Sequence, residues 1–242
     1  LVGSEMCIRD SAIPFQRHLE RRAKQMDKKS SMMKDAIILC AITLILGAVL
    51  AGVYMLTKDP IDNAQKKTNN EACAVVVAQG DSVKDNDAEA VSGAAAYLSK
   101  HDLSNAEVKE GDLLSEYVEI TEVHPTANGG KVYLANALKG YGGKISFALG
   151  VDAQSAITGI QITSESETAG LGANCENDEF KARFKGIKAP ESTSEEMYNK
   201  NETTDTQVQA LSGATVTSRA ITRAVKGILF YDASGKEAGQ YE

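Results

Sequence analysis

The sequence predicts an α+β domain behind one N-terminal transmembrane helix, on three observations. These are a 22-residue run without charge, a pair of apolar segments joined by a glycine-rich tetrapeptide, and an amphipathic stretch near the C-terminus. With 242 residues, 43% apolar and 24% charged, the chain has material for one domain with its own core plus an appendage. Trp is absent and aromatic content low, yet the composition is neither disordered nor disulfide-dense.

The uncharged run, AIILCAITLILGAVLAGVYMLT, extends from Ala36 to Thr57. As a helix it crosses a hydrocarbon core of about 30 Å. A buried core helix seldom runs this long without a polar face, and the apolar stretch of a signal peptide is usually about 7–15 residues. The run therefore reads as one membrane span, over residues 36–57. Arg17, Arg21, Arg22, Lys24, Lys28, Lys29 and Lys34 precede it, whereas Lys58 is followed at once by Asp59 and Asp62. The positive-inside rule puts residues 1–35 in the cytoplasm and everything after Lys58 outside, in a single-pass arrangement at the cell's inner membrane. The opening LVGSEMCIRDS resembles translated sequencing-adapter read-through, so the natural start is expected at Met32 or Met33, with only Lys34 ahead of the span.

Beyond the span, Pro60 to Val77 reads as a polar helix running into an apolar stretch. Asp87 to Lys100 carries Ala90, Val91, Ala94, Ala95 and Leu98 at helical spacing. Residues 58–110 are thus expected to form a helical connector and residues 111–242 the domain proper. Within it, Glu116 to Ile120 reads as a strand. KVYLANAL (131–138) and KISFALGV (144–151) form a hairpin across Gly140-Tyr141-Gly142-Gly143, and AITGIQITS (156–164) is a further strand. Residues 186–206, rich in Glu, Ser, Thr and Asn, read as a surface excursion. A last helix from about Ser218 to Tyr231 places Ile221, Val225, Ile228 and Leu229 on one face, suited to packing on a mainly antiparallel sheet.

Charge excludes one class of function. Residues 58–242 hold 18 Lys or Arg against 28 Asp or Glu, with no basic stripe, so the electrostatic footprint of a nucleic-acid binder is missing. Cys7, Cys40, Cys73 and Cys175 form no CxxC pair and have no adjacent histidines, so no zinc or iron–sulfur ligand set is expected. Cys73 and Cys175 both lie on the exported side, where a disulfide between them is possible. His101 and His124 read as surface residues.

The chemistry is concentrated in Leu211-Ser212-Gly213-Ala214-Thr215-Val216-Thr217-Ser218-Arg219, a small-residue turn rich in hydroxyls that runs into the N-terminus of the last helix. Unpaired N–H groups and about half a positive charge at such a terminus stabilise an anion, and Gly213 and Ala214 let backbone approach it. The plainer account, that Thr217 or Ser218 only caps the helix, leaves Ser212-Gly213-Ala214-Thr215 unexplained.

Ser-Gly-Ala-Thr-x-Thr-Ser is similar to the flavinylation motif of the FMN-binding domains in two families, the G subunits of Rnf complexes and the C subunits of Nqr complexes. Glu167-Thr168-Ala169-Gly170-Leu171-Gly172 resembles the ETPGLG loop of the same families, in the same order after Gly-Tyr-Gly-Gly and the GIQIT strand. The resemblance runs from about Met33 to the end, includes Lys58-Asp59-Pro60-Ile61, and is closer to the Rnf family.

It implies an extracytoplasmic FMN-binding domain in which a flavin transferase moves FMN from FAD onto Thr215 as a phosphoester. Ser212, Gly213, Ala214, Thr217, Ser218, Glu167, Thr168, Leu171 and Gly172 would lie around the cofactor. No residue near Thr215 in sequence is a base, in keeping with attachment by an external enzyme, and neither a catalytic residue nor a metal ligand is expected. The chain would then relay electrons among the subunits of a membrane-bound ion-translocating ferredoxin:NAD⁺ oxidoreductase, held in the bilayer by its span. The alternatives are the C subunit of an Nqr-type NADH:quinone reductase or another extracytoplasmic FMN carrier, and a flavin-free membrane-anchored binding module. Two positions depart from the family pattern. Ala169 replaces a Pro, which should loosen a turn because Pro fixes φ near −65°, and Gln209 stands where an Asp is common, six residues before Thr215.

Overall fold

The computed structural model describes residues 13–78, 80–102, 113–191 and 195–238, with side chains from Met33 to Gly235. The adapter-like opening up to residue 12 and the domain boundary expected at 110/111 lie outside the described residues, as do residues 192–194 of the polar excursion. The chain divides into two compact units, residues 1–63 and 64–242.

The described part of the first unit is helical. Helix α1 (Ile13–Val76) begins here and ends in the second unit. The sequence suggests two helices separated after Thr57; instead Pro60 lies within one continuous helix. Proline removes one N–H and crowds the preceding turn at a cost of about 3 kcal/mol, which a helix of 64 residues bears because turns on both sides stay hydrogen-bonded. The segment from Met33 onward is long and apolar enough to cross a membrane. Its Ile37, Leu44 and Leu50 are exposed, as lipid-facing side chains are.

The second unit is built on a four-stranded antiparallel meander in the order β1-β2-β3-β4: β1 (Val118–Pro125), β2 (Lys131–Ala137), β3 (Ile145–Val151) and β4 (Ile157–Ser164). The hairpin predicted across Gly140–Gly143 is present, with Lys131 opposite Val151 and Ala137 opposite Ile145. β2 and β3 are buried almost throughout because both sheet faces are covered. Tyr133, Ala135, Phe147 and Leu149 face the main core, with α2 (Ala88–Leu98) and α4 (Thr215–Ala238) above them. Val132, Leu134 and Ala148 face the other way, onto Ala72, Cys73 and Val76 of α1. A bulge between Ile120 and Glu122 resets the alternation of β1, so that Ile120 and Val123 both point into the main core.

The seat of α1 on the sheet is made by glycine. A Cβ at Gly150 would lie 2.2 Å from the Val76 carbonyl oxygen, and Thr158 Oγ1 donates to that same oxygen at 2.5 Å. Helix α2 is capped by Asp87, whose carboxylate accepts from Glu89 N and Ala90 N. The predicted apolar face of α4 is correct: Ile221, Val225, Ile228 and Leu229 are all fully buried. Farther along α4, buried Asp232 accepts hydrogen bonds from Lys131 Nζ (3.0 Å), Tyr133 Oη (2.8 Å) and Ser155 Oγ (2.7 Å). Burial, reinforced by this carboxylate, pushes the Tyr133 phenol far above its ordinary pKa and keeps it a donor.

Three expectations are corrected. Cys73 and Cys175 are free, buried and in the two clusters on opposite faces of the sheet, so no disulfide joins them. The 186–206 stretch is not simply solvated. Met197 is buried, β5 (Tyr198–Asn199) pairs in parallel with β6 (Val208–Gln209), and cations of α4 hold the segment through Arg223–Glu196 (2.8 Å) and Lys226 Nζ to Glu195 O (2.9 Å). His124 is not a free surface residue, since its ring lies 3.0 Å from both Glu122 Oε2 and the Lys84 carbonyl, while exposed His101 stacks on Tyr97.

Candidate functional site

Helix α4 starts three residues earlier than expected, at Thr215, so Thr217 and Ser218 belong to its first turn and are not its cap. The turn before it is set by Gly213, whose φ of +73° lies in the left-handed region that a side chain disfavours. Ala214 N donates to Leu211 O at 3.2 Å. Fully buried Ser218 ties the turn from beneath: its Oγ accepts from Leu211 N and donates to Ala214 O, both at 2.9 Å. The next side chain inward, Thr217, is only 2% exposed and donates through Oγ1 to Glu167 Oε2 at 2.5 Å.

Glu167 comes from the loop after β4. Its second oxygen, Oε1, accepts from Gly142 N at 3.0 Å, which ties in the β2–β3 hairpin loop. Beyond it the chain turns over Thr168–Leu171, closed by Leu171 N to Thr168 O at 3.1 Å, with Gly170 at φ +77° in the third position. This is the geometry of a type II turn, in which Ala169 occupies the place that favours proline. The turn closes without it, so the replacement has not opened the loop. Gly172 is required for close packing: a Cβ there would lie 2.5 Å from Glu167 Oε2 and 2.6 Å from Thr217 Oγ1.

Three loop segments, distant in sequence, therefore meet in one cleft of about 440 Å³. Glu167, Thr168, Leu171 and Gly172 line it from one side, and Gly213, Ala214, Thr215 and Thr217 from the other. Of the expected site residues, Ser212 and Ser218 are not among its walls. Ser212 is exposed in the turn and Ser218 acts beneath it. Tyr141 and Val216 complete the lining, and sequence reasoning misses both. In the string Tyr141 is only part of a turn, although a large aromatic among three glycines is a poor choice for a turn alone. Tyr141 (72% exposed), Val216 (50%) and Leu171 (45%) give the cleft an apolar mouth.

Electrostatically the cleft opens on the first turn of a 24-residue helix, whose leading N–H groups have no carbonyl of their own helix to bond. Behind the loop, burial and then the charges of Glu165, Glu176 and Glu167 push the Cys175 thiol up to about 12, so it is no nucleophile. Among the described residues no His/Cys/Asp/Glu group could hold a metal ion. Gln209, the other departure, lies outside the cleft. It pairs with Asn199, donates through Nε2 to Asn201 O at 2.8 Å, and its carbonyl accepts from Arg183 Nη1 at 3.1 Å.

Residues 140–229, which contain every residue lining the cleft, match the FMN-binding domain family, and residues 26–76 match the RnfG N-terminal region. The chain is 30% identical over 206 residues to the G subunit of the proton-translocating ferredoxin:NAD(+) oxidoreductase complex of Clostridium ljungdahlii, covering 84% of this chain and 92% of the relative. It is 28% identical over 203 residues to the G subunit of the Na(+)-translocating ferredoxin:NAD(+) oxidoreductase complex of Acetobacterium woodii, covering 80% and 88%. The crystal structure of the C subunit of Na(+)-translocating NADH-quinone reductase from Parabacteroides distasonis aligns at 22% identity and a TM-score of 0.36, over 48% of this chain and 60% of that one.

Proposed function

Since this chain belongs to the RnfG family, the G subunits of ion-translocating oxidoreductase complexes, we propose that it carries FMN as a phosphoester on Thr215. It is an FMN-binding subunit of an ion-translocating ferredoxin:NAD⁺ oxidoreductase, working with the other subunits of that complex. The observation that carries the proposal of attachment is the convergence of the 167–172 loop and the 213–217 turn on one cleft, with half-buried Thr215 in its wall at the start of α4.

The residues present fit the cofactor. A phosphate is favoured at the first turn of α4, where free N–H groups and the helix dipole meet. A planar apolar ring system is favoured between Tyr141, Leu171 and Val216. The volume lies within the range of about 300–1,000 Å³ usual for small-molecule sites. Once attached, the flavin supplies the electron-carrying chemistry. Thr217 and Ser218 hold the first turn in place, and Gly213 keeps side chains away from the phosphate.

For attachment, Thr215 Oγ1 forms a bond to the FMN-side phosphorus of FAD, the phosphoanhydride bond breaks, AMP leaves, and the hydroxyl proton passes to a base of the flavin transferase. The transferase is needed because an unactivated threonine hydroxyl is a poor nucleophile. In this reading residues 36–57 span the inner membrane with the N-terminus in the cytoplasm and the cleft outside, an orientation supported by Lys34 before the span and by Asp59 and Asp62 just after it. A span without internal charge offers no ion path, which assigns translocation to partner subunits. The two relatives are named for different ions, so membership of the family does not fix the coupling ion.

Co-expression of the chain with a flavin transferase, followed by in-gel fluorescence and intact mass, tests the proposal. A fluorescent band with one FMN phosphoester is expected, lost in Thr215→Ala. A colourless wild type beside a labelled control substrate refutes it.

A further inference from the structure

We propose that Glu167 is a positioning residue for the modification of Thr215. It clasps the loops that wall the cleft and holds the Thr217 hydroxyl out of the reaction, so that of the two threonines in the first turn of α4 only Thr215 presents an uncommitted nucleophile. The inference rests on the reading of Thr215 as the attachment site.

The two threonines share a turn and differ in environment. Two residues apart on a helix they point to different sides. Thr217 is almost fully buried and its proton is directed to Glu167 Oε2 at 2.5 Å, a charge-assisted bond of the short, strong kind. Thr215 is half-buried, borders the cleft, and among the described residues none takes its hydroxyl proton.

The carboxylate reaches its place because side chains are missing around it. A Cβ at Gly140 would lie 2.7 Å from Oε1 and one at Gly172 would lie 2.5 Å from Oε2. Three segments are thereby joined at one residue: the hairpin loop through Gly142 N, the 165–172 loop through Glu167 itself, and α4 through Thr217.

With both oxygens taken by donors, Glu167 is not the base that removes the Thr215 proton; that proton leaves to the transferase as the Oγ1–phosphorus bond forms and AMP departs from FAD. What Glu167 contributes is the placement of α4's first turn, and misplacement by about 1 Å costs a reaction on the order of 100-fold.

The test uses the full chain in detergent with a flavin transferase and FAD, reading the initial rate of fluorescent adduct formation against concentration of the apo-chain. Glu167→Gln and Thr217→Val are each expected to lower kcat by roughly 10- to 100-fold with KM little changed. The double variant is expected to be no slower than the slower single one, because both act on the one Glu167–Thr217 contact, the first by removing its charge and the second its hydroxyl. Thr217→Ser, which restores the hydroxyl, should return to the wild-type rate. Wild-type kcat in Glu167→Gln or Thr217→Val, or multiplying losses in the double variant, overturns the inference while leaving Thr215 as the attachment site. If the wild type takes no label beside a labelled control, the attachment reading fails and this inference with it.

Discussion

Replacing Gly150 by Ala adds a methyl group where the end of α1 rests on the sheet. The added carbon would sit 2.2 Å from the Val76 carbonyl oxygen, 3.0 Å from its carbon and 2.3 Å from Thr158 Oγ1, and two of these three atoms are backbone. Either α1 lifts or Thr158 swings away, and in both cases the Thr158–Val76 hydrogen bond is lost. That bond is worth about 0.5–1.5 kcal/mol, and overpacking of a close contact costs about 1–3 kcal/mol. A loss of roughly 2–4 kcal/mol follows, a large share of the 5–15 kcal/mol that holds a typical domain together.

Gly159, opposite Gly150 on β4, supplies the control. Its added carbon would lie 3.5 Å from Val76 Cα, an ordinary contact. Gly159→Ala should therefore be nearly neutral. Thermal unfolding followed with a thiol-reactive dye, in a background with Cys7 and exposed Cys40 replaced by Ser, suits the question because Cys73 is buried under the same contact. At about 2–4 °C per kcal/mol for a chain of this size, Gly150→Ala should lower the transition by roughly 5–15 °C and Gly159→Ala by less than about 2 °C. Equal shifts for the two variants, or none for Gly150→Ala, refute the reasoning that the close approach is what matters.

Asp232→Ala strips a buried acceptor from Lys131, Tyr133 and Ser155; breaking such a pair from one side costs about 3–5 kcal/mol, to be read as a fall in ΔG by chemical denaturation, and a loss below about 1 kcal/mol contradicts it. Burial pushes the Cys73 and Cys175 thiols up to about 11 and about 12 from an ordinary value of 9.0. The folded state therefore holds these protons more tightly than the unfolded state, so their contribution to stability is intact below about pH 9 and is lost as pH climbs toward 11–12. Denaturation midpoints should fall over that window, and Cys73→Ala with Cys175→Ala should flatten the slope. At pH 8 alkylation of Cys73 and Cys175, located by peptide mass, should follow unfolding, and rapid labelling at either of these two positions in the native chain counts against their burial.

The parts of the fold that are legible in sequence depend on local periodicity. The β2–β3 hairpin, β4 and the Ile221/Val225/Ile228/Leu229 face of α4 all announce themselves within a dozen residues. The bulge at Ile120–Glu122 does not, because it is set by pairing with β2 across the sheet. The start of α4 at Thr215 is hidden because Ser218, which reads as a cap, turns back beneath the turn. The polar 186–206 stretch conceals Met197 and depends on Arg223 and Lys226 of a helix far along the chain. In the cleft, the two motif segments are visible in the string, whereas the role of Gly140 and Gly142 becomes visible only with Glu167 beside them. Tyr141 escapes notice for the same reason.

Helix α4 is fastened near both ends: Thr217 is tied to Glu167 in its first turn, and Asp232 is tied to β2 through Lys131 and Tyr133 some four turns later. A rod secured at two points has little axial play. For a carrier seated on the first turn of that rod, the gap to the next redox centre is then a property of how the neighbouring subunit approaches the cleft mouth, because α4 itself cannot slide to shorten it. Exchange between carriers falls steeply with distance, so if FMN is attached at Thr215 as proposed, the switching of current on and off belongs to the neighbour, with this domain as a fixed terminal.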